Sequence, residues 1–168
     1  ICGSVDEVER ISATSDNYFV PHQFKNKANP QCHYAETAKE LFEQLDGNVD
    51  IFISGIGSGG TLQGIGSYLK EKNPDVKIVA VEPKGVSAIL GHPPGIHAIQ
   101  GIGDGFIPEV LDVSLIDDLI EVSDEDALAT TAELASIQGL LVGISSGANV
   151  FAAKKMAEKY GKDKVIAT

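Results

Sequence analysis

Four glycines fall within six residues, Gly55 to Gly60, in the stretch Ile53-Ser54-Gly55-Ile56-Gly57-Ser58-Gly59-Gly60-Thr61. An apolar run, Val49 to Ile53, leads into it, and a run with helical patterning, Thr61 to Lys72, leads out. Glycine admits positive φ and lets a ligand come close to the main chain. A helix start adds free N–H groups and a partial positive charge. A strand, a glycine turn and a helix in that order make an anion cradle, and phosphate is the usual anion. Gly57, Gly59 and Gly60 offer backbone donors, and Ser58 and Thr61 add hydroxyls. A second turn of similar make-up, Gly143-Ile144-Ser145-Ser146-Gly147-Ala148, follows a short apolar run, Leu140 to Val142.

Three readings fit the first glycine stretch. Gly55, Gly57 and Gly60 match the G-x-G-x-x-G of a dinucleotide site, with Glu82 placed to hold a ribose hydroxyl. Glu82 comes 27 residues after Gly55, past the roughly 20 of that fingerprint, and Pro83 follows it directly. In the second reading, Gly57 to Thr61 form a cup for the phosphate monoester of a cofactor such as pyridoxal phosphate. The two hydroxyls suit a dianion better than a shared pyrophosphate. In the third the turn binds nothing, at an entropic cost of roughly 0.5–1 kcal/mol per glycine. A Walker loop is excluded because no G-K-[ST] follows.

Other chemistry is sparse. Cys2 and Cys32 make neither a CxxC pair nor a disulfide framework, which fits a reduced, cytoplasmic setting. Cys32 precedes His33, but neighbours in sequence rarely face one another as nucleophile and base. Thirteen Lys and Arg against 24 Asp and Glu leave a net charge of −11, which argues against nucleic acid and anionic lipid as partners. No apolar run reaches the ~18 residues of a membrane span, and the start lacks a secretory leader's basic flank. The only Met is Met156, which suggests a processed product or a piece of a longer chain.

The elements that must position these residues alternate. Helices are expected over Val5–Ile11, Tyr34–Leu45, Thr61–Lys72, Asp124–Gln138 and Ala148–Tyr160. Ser123 is placed as N-cap of the fourth, with Asp126 three residues on. Strands are expected over Asn17–Val20, Val49–Ile53, Val76–Val81, Leu119–Val122, Leu140–Val142 and from Val165. Gln23–Gln31 reads as a polar loop, and residues 84–109 as a long irregular segment of the kind that is usually functional or disordered. The alternation predicts a single α/β domain, a mostly parallel open sheet with helices on both faces. Ligands sit at the carboxyl ends of such strands, where both glycine turns are expected.

Several segments, in order, resemble the C-terminal portion of cysteine synthase (O-acetylserine sulfhydrylase), a tryptophan-synthase-β-like, fold type II pyridoxal phosphate enzyme. They are Gln23-Phe24 through Ala28-Asn29-Pro30 and His33-Tyr34; Val49 through Thr61; Leu69 through Pro74; Val81-Glu82-Pro83; Ile99-Gln100-Gly101-Ile102-Gly103; Gly105-Phe106-Ile107-Pro108; and Gly139 through Ala148. The resemblance implies that Gly57, Ser58, Gly59, Gly60 and Thr61 hold the cofactor phosphate. It implies that Ser145 meets the pyridine nitrogen and that Gly101 lets backbone approach the cofactor or substrate. From its residues alone, Ser145 also reads as an N-cap of the following helix.

The resemblance further implies β-replacement of O-acetylserine by sulfide in a homodimer. Cystathionine β-synthase chemistry is the enzyme alternative, and a non-catalytic cofactor-binding or partner-docking domain the alternative of another class. In some members the Gln100 loop helps dock serine acetyltransferase. Here Ala98 stands where the family commonly has Lys, and Asp104 where it commonly has Ala, so that partner is in question. The family's Schiff-base lysine and substrate-carboxylate motifs have no counterpart in this sequence, nor does its closing segment. The chain is therefore expected to be the cofactor-phosphate half, with no catalytic residue of its own, no metal site, and no activity alone.

Overall fold

The computed structural model describes residues 2–168. Four strands, β1 (Ile51–Gly55), β2 (Lys77–Pro83), β3 (Asp118–Val122) and β4 (Ile166–Ala167), form one sheet in the order β3-β2-β1-β4. Every pairing is parallel, with Ile53 opposite Val79 and Val79 opposite Asp118. The expected α/β architecture is therefore observed.

The sheet is covered on both faces, which is why β1 and β2 read as unbroken apolar runs. Alternate residues point to opposite sides. Phe52, Ile78 and Ala80 pack under Leu62, Ile65 and Leu69, which belong to the helix joining β1 to β2. Ile51, Ile53, Val79 and Val81 pack against Ala148, Ala152 and Met156 of the last helix.

The helices are α1 (Cys2–Ser12), α2 (Ala28–Cys32), α3 (Ala38–Gln44), α4 (Gly60–Lys72), α5 (Asp124–Gln138) and α6 (Ile144–Tyr160), with a π-helical segment, His33–Thr37, between α2 and α3. Helix therefore begins at Ala28, inside the stretch expected to be loop, and runs on to Gln44. Pro30 is tolerated there because a first-turn residue has no intrahelical partner for an N–H.

Two expected strands are not formed. Asn17–Val20 pairs with nothing among the described residues, and Phe19 is 90% exposed. Leu140–Val142 is also unpaired. Gly139 takes a left-handed φ of +70° at the end of α5, and the N–H of Leu140 returns to the carbonyl of Leu134 at 3.0 Å. The segment begins as a helix stop, and a short apolar run cannot make a strand without a neighbouring strand to pair with.

Ser123 caps α5 as expected, its hydroxyl accepting from the N–H of Asp126 at 3.1 Å. α6 starts earlier than expected, at Ile144, so Ser145, Ser146 and Gly147 lie in its first turn. Residues 84–109 carry no regular element but are ordered by side chains. Ser87 and Ile99 are fully buried, and the N–H of Ala98 donates to Asp124 Oδ2 at 2.9 Å.

Candidate functional site

β1 ends at Gly55, and α4 starts five residues later at Gly60. Its N-cap is Gly59, held at φ +83°, a conformation costly for any residue with a Cβ. Glycine has no side chain to satisfy the first N–H groups of α4, and no cap bond forms there. The same holds at α6, where the N-cap is Gly143 and no side chain bonds the helix start. α5 is closed by its own serine. The two helices with a glycine N-cap have no side chain competing for their first N–H groups and positive ends, although at α6 the N–H groups of Ser146 and Gly147 turn back to the Gly143 carbonyl.

The third glycine-bearing segment lies directly on the first turn. The N–H of Gly103 donates to the carbonyl of Ile56 at 3.0 Å, and a Cβ on Gly57 would stand 2.5 Å from the carbonyl oxygen of Gly101. Gly101 itself has φ +94°, and a Cβ there would meet only open space. A Cβ on Gly55 would lie 2.7 Å from Ile102 Cγ2 and 3.3 Å from Asn149 Oδ1 of α6. The structure thus gathers Gly57 to Thr61, Gly101 and the first turns of α6 around the carboxyl end of β1. Ser145 stands one turn before Asn149, on the same helix face. It is not the N-cap, and its hydroxyl makes no hydrogen bond among the described residues.

The neighbourhood suits a phosphorylated cofactor. The start of α4 carries no side-chain cap and the space beside Gly101 is open, whereas Gly57 and Gly60 exclude a Cβ because the Gly101 carbonyl and the Asn29 side chain lie against them. Asn149 Oδ1 is a buried acceptor without a partner, free for a donor of a ligand rather than for its phosphate. Burial also raises the carboxyl pKa of Asp104, two residues beyond the Ile102 contact, against a weaker opposing pull from His97.

Sequence reasoning did not single out Asn149, nor two residues supporting the cup. Asn29 Nδ2 donates to Ser58 Oγ at 2.9 Å, and His33 Nε2 lies 3.3 Å from Thr61 Oγ1. Their only signal was their place in the quoted Ala28-Asn29-Pro30 and His33-Tyr34 segments.

The dinucleotide reading fails on Glu82. The residue is 2% exposed, and its carboxylate accepts from the hydroxyl of Ser87 and, at 3.3 Å each, from the N–H groups of Ala88 and Ile89. It organises the chain after β2 and is not free for a ribose. The Cys32–His33 pair is likewise no nucleophile and base. The thiol donates to the carbonyl of Asn29, while the imidazole faces Thr37 and Thr61.

Residues 2–168 match the family model described as pyridoxal-phosphate dependent enzyme. The chain belongs to that family. Cysteine synthase B of Campylobacter jejuni is 46% identical over 164 residues, covering 98% of this chain and 54% of that protein. A crystal structure of cysteine synthase from Entamoeba histolytica superposes with a TM-score of 0.92 at 38% identity, over 98% of this chain and 49% of that one. An O-acetylserine dependent cystathionine β-synthase from Helicobacter pylori gives 0.91 at 39% identity, over 99% and 54%. The chain spans about half the length of the curated relatives it matches. In a family defined by pyridoxal phosphate, the uncapped glycine turn with its two hydroxyls fits the phosphate of that cofactor. Among the described residues no helix is long and apolar enough to cross a membrane.

Proposed function

We propose that the protein carrying this chain is a pyridoxal-phosphate-dependent cysteine synthase, which replaces the acetate of O-acetylserine by sulfide, and that this chain forms its cofactor-phosphate domain. The observation that carries the reading is the start of α4. There a left-handed Gly59 leaves the helix uncapped between two hydroxyls, Ser58 and Thr61, under the Gly101 loop. Gly57, Ser58, Gly59, Gly60 and Thr61 hold the phosphate through N–H and O–H donors. Ser145, with its hydroxyl unengaged at the uncapped start of α6, meets the pyridine nitrogen as a neutral partner. Gly101 keeps the space beside the ring open. When bound, the cofactor supplies the electron sink for releasing the substrate's β-substituent.

No lysine falls in the glycine turn, the Gly101 loop or the first turns of α6, so the covalent anchor is not expected from this chain. Lys25, Lys70, Lys154, Lys159 and Lys164 pair instead with carboxylates elsewhere. The anchor and the substrate-carboxylate loop belong to the part of the relatives' length that this chain does not span, so the chain alone is inactive. The complete protein is a cytoplasmic homodimer. Ala98, standing where the family commonly has Lys, puts docking of serine acetyltransferase in question.

The Helicobacter pylori structure favours a second reading, in which homocysteine replaces sulfide as the nucleophile. One assay separates them: the protein is given O-acetylserine with sulfide or with homocysteine, and cysteine and cystathionine are measured. Faster cysteine formation supports the first reading and faster cystathionine formation the second. Pyridoxal phosphate bound reversibly, with neither product, leaves a non-catalytic binding domain.

A further inference from the structure

Resting on the phosphate reading above, we propose that Asn29 and His33 are positioning residues that aim the Ser58 and Thr61 hydroxyl protons at the cofactor phosphate. A hydroxyl has one hydrogen to donate, so its use at an acceptor-only phosphate depends on what else the oxygen meets.

At Ser58 the direction follows from Asn29. Nδ2 of Asn29 reaches two oxygens, the carbonyl of Gln23 at 2.8 Å and Ser58 Oγ at 2.9 Å. A backbone carbonyl can only accept, so this nitrogen is the amide's donor end and the side-chain orientation is settled. With both amide hydrogens engaged, Ser58 Oγ accepts from Asn29 and its own hydrogen points elsewhere. Oδ1 of Asn29 meanwhile packs onto Gly60, where a Cβ would fall 1.9 Å away.

At Thr61 the direction depends on the imidazole tautomer. His33 Nδ1 lies 3.1 Å from Thr37 Oγ1 and Nε2 lies 3.3 Å from Thr61 Oγ1. With the proton on Nε2, Thr37 donates to Nδ1, Nε2–H donates to Thr61, and Thr61 keeps its hydrogen for the phosphate. With the proton on Nδ1 alone, Thr61 donates to the ring and is lost to the anion.

Both supports come from one face of one helical stretch. Asn29 and His33 are four residues apart and so neighbours on that face, and they meet a matching glycine pair on α4. Gly60 abuts Asn29, and Gly64 abuts the carbonyl of Pro30 and Cβ of His33, with built Cβ distances of 2.3 and 2.7 Å. The ring and the amide reach the cup because glycine at both positions lets the two helices close up.

The test compares affinity for pyridoxal phosphate with affinity for pyridoxal, which lacks the phosphate, in the purified protein carrying this chain. It also follows the 31P resonance of the bound cofactor. Asn29→Asp, which cannot donate, and Thr37→Val, which stands one residue further from the phosphate, should each lower the phosphate-dependent affinity ratio, by about tenfold for Asn29→Asp. Both should move the 31P signal, and His33→Gln, which retains a donor, should keep most of the ratio. The 15N spectrum of the holoprotein should show His33 protonated on Nε2. If Asn29→Asp does not fold, Thr37→Val and the tautomer decide. An unchanged ratio, or His33 protonated on Nδ1 alone, overturns the proposal, since a merely structural role lowers stability without changing the ratio. Ser58→Ala and Thr61→Val separate the two levels. If they leave the ratio intact, the phosphate cup itself is misplaced. If they lower it while the Asn29 and Thr37 variants do not, the cup stands and the aiming role falls.

Discussion

The Cα of Gly57 faces the carbonyl oxygen of Gly101 so closely that a Cβ built there would lie 2.5 Å from it. The neighbour is backbone and cannot swing away. Gly57→Ala should therefore push the Gly101 loop off the turn. The expected cost is about 1–3 kcal/mol of stability, with weaker cofactor binding. Gly101→Ala should lose about 1–3 kcal/mol for a different reason, its φ of +94°, because the space beside it is open. Denaturant unfolding with cofactor titration tests both, and a Gly57→Ala protein with unchanged cofactor affinity would contradict the account.

Glu82 is a structural carboxylate. Glu82→Ala leaves the Ser87 hydroxyl and two backbone N–H groups without their acceptor in a buried place. The expected loss is about 1–3 kcal/mol or more, visible as a lower denaturant midpoint. NAD should not protect the native protein in the same assay.

Two aspartates should move stability with pH in opposite senses. The side-chain hydrogen bond from Lys164 and the N–H of Val165 hold the Asp50 carboxyl below its ordinary pKa. Its contribution is present above the unfolded carboxylate range and fades as pH falls through the depressed folded value. Asp50→Asn should therefore be less stable than the parent at neutral pH, with the gap narrowing in acid. Burial holds Asp104 above its ordinary pKa. The native state binds that proton more tightly, so the favourable contribution is present below the unfolded value and lost as pH rises through the folded one. Asp104→Asn should be the more stable protein at pH 7 and lose its advantage on acidification. Unfolding curves from pH 3 to 8 check both signs.

The serines at two helix starts should separate by role. Ser123→Ala removes the cap of α5 and should cost about 1 kcal/mol without touching cofactor affinity. Ser145→Ala should leave stability nearly unchanged, because its hydroxyl is unengaged, and should alter the absorption spectrum of the bound cofactor. Melting curves and cofactor spectra of the two variants give the comparison.

Local features were legible in the sequence wherever the physics is local. The unbroken apolar runs of β1 and β2 required a sheet covered on both faces. Ser123 with Asp126 announced a helix start, and glycines between an apolar run and a helical run announced a tight strand-to-helix turn. Tertiary structure decided what depends on a partner. Asn17–Val20 and Leu140–Val142 have strand-like side chains, yet no neighbouring backbone pairs with them, and Leu140 gives its N–H to the end of α5. Glu82 looked free for a ligand until the fold placed Ser87, Ala88 and Ile89 over it. Asn29 and His33 lie about thirty residues before the hydroxyls they meet, with |i−j| of 29 and 28. Hydrogen bonds over that separation exist only once α2 has closed on Gly60 and Gly64. The glycine turn from Gly57 to Thr61 could be read from the chain, whereas the side chains that meet its two hydroxyls became visible only in three dimensions.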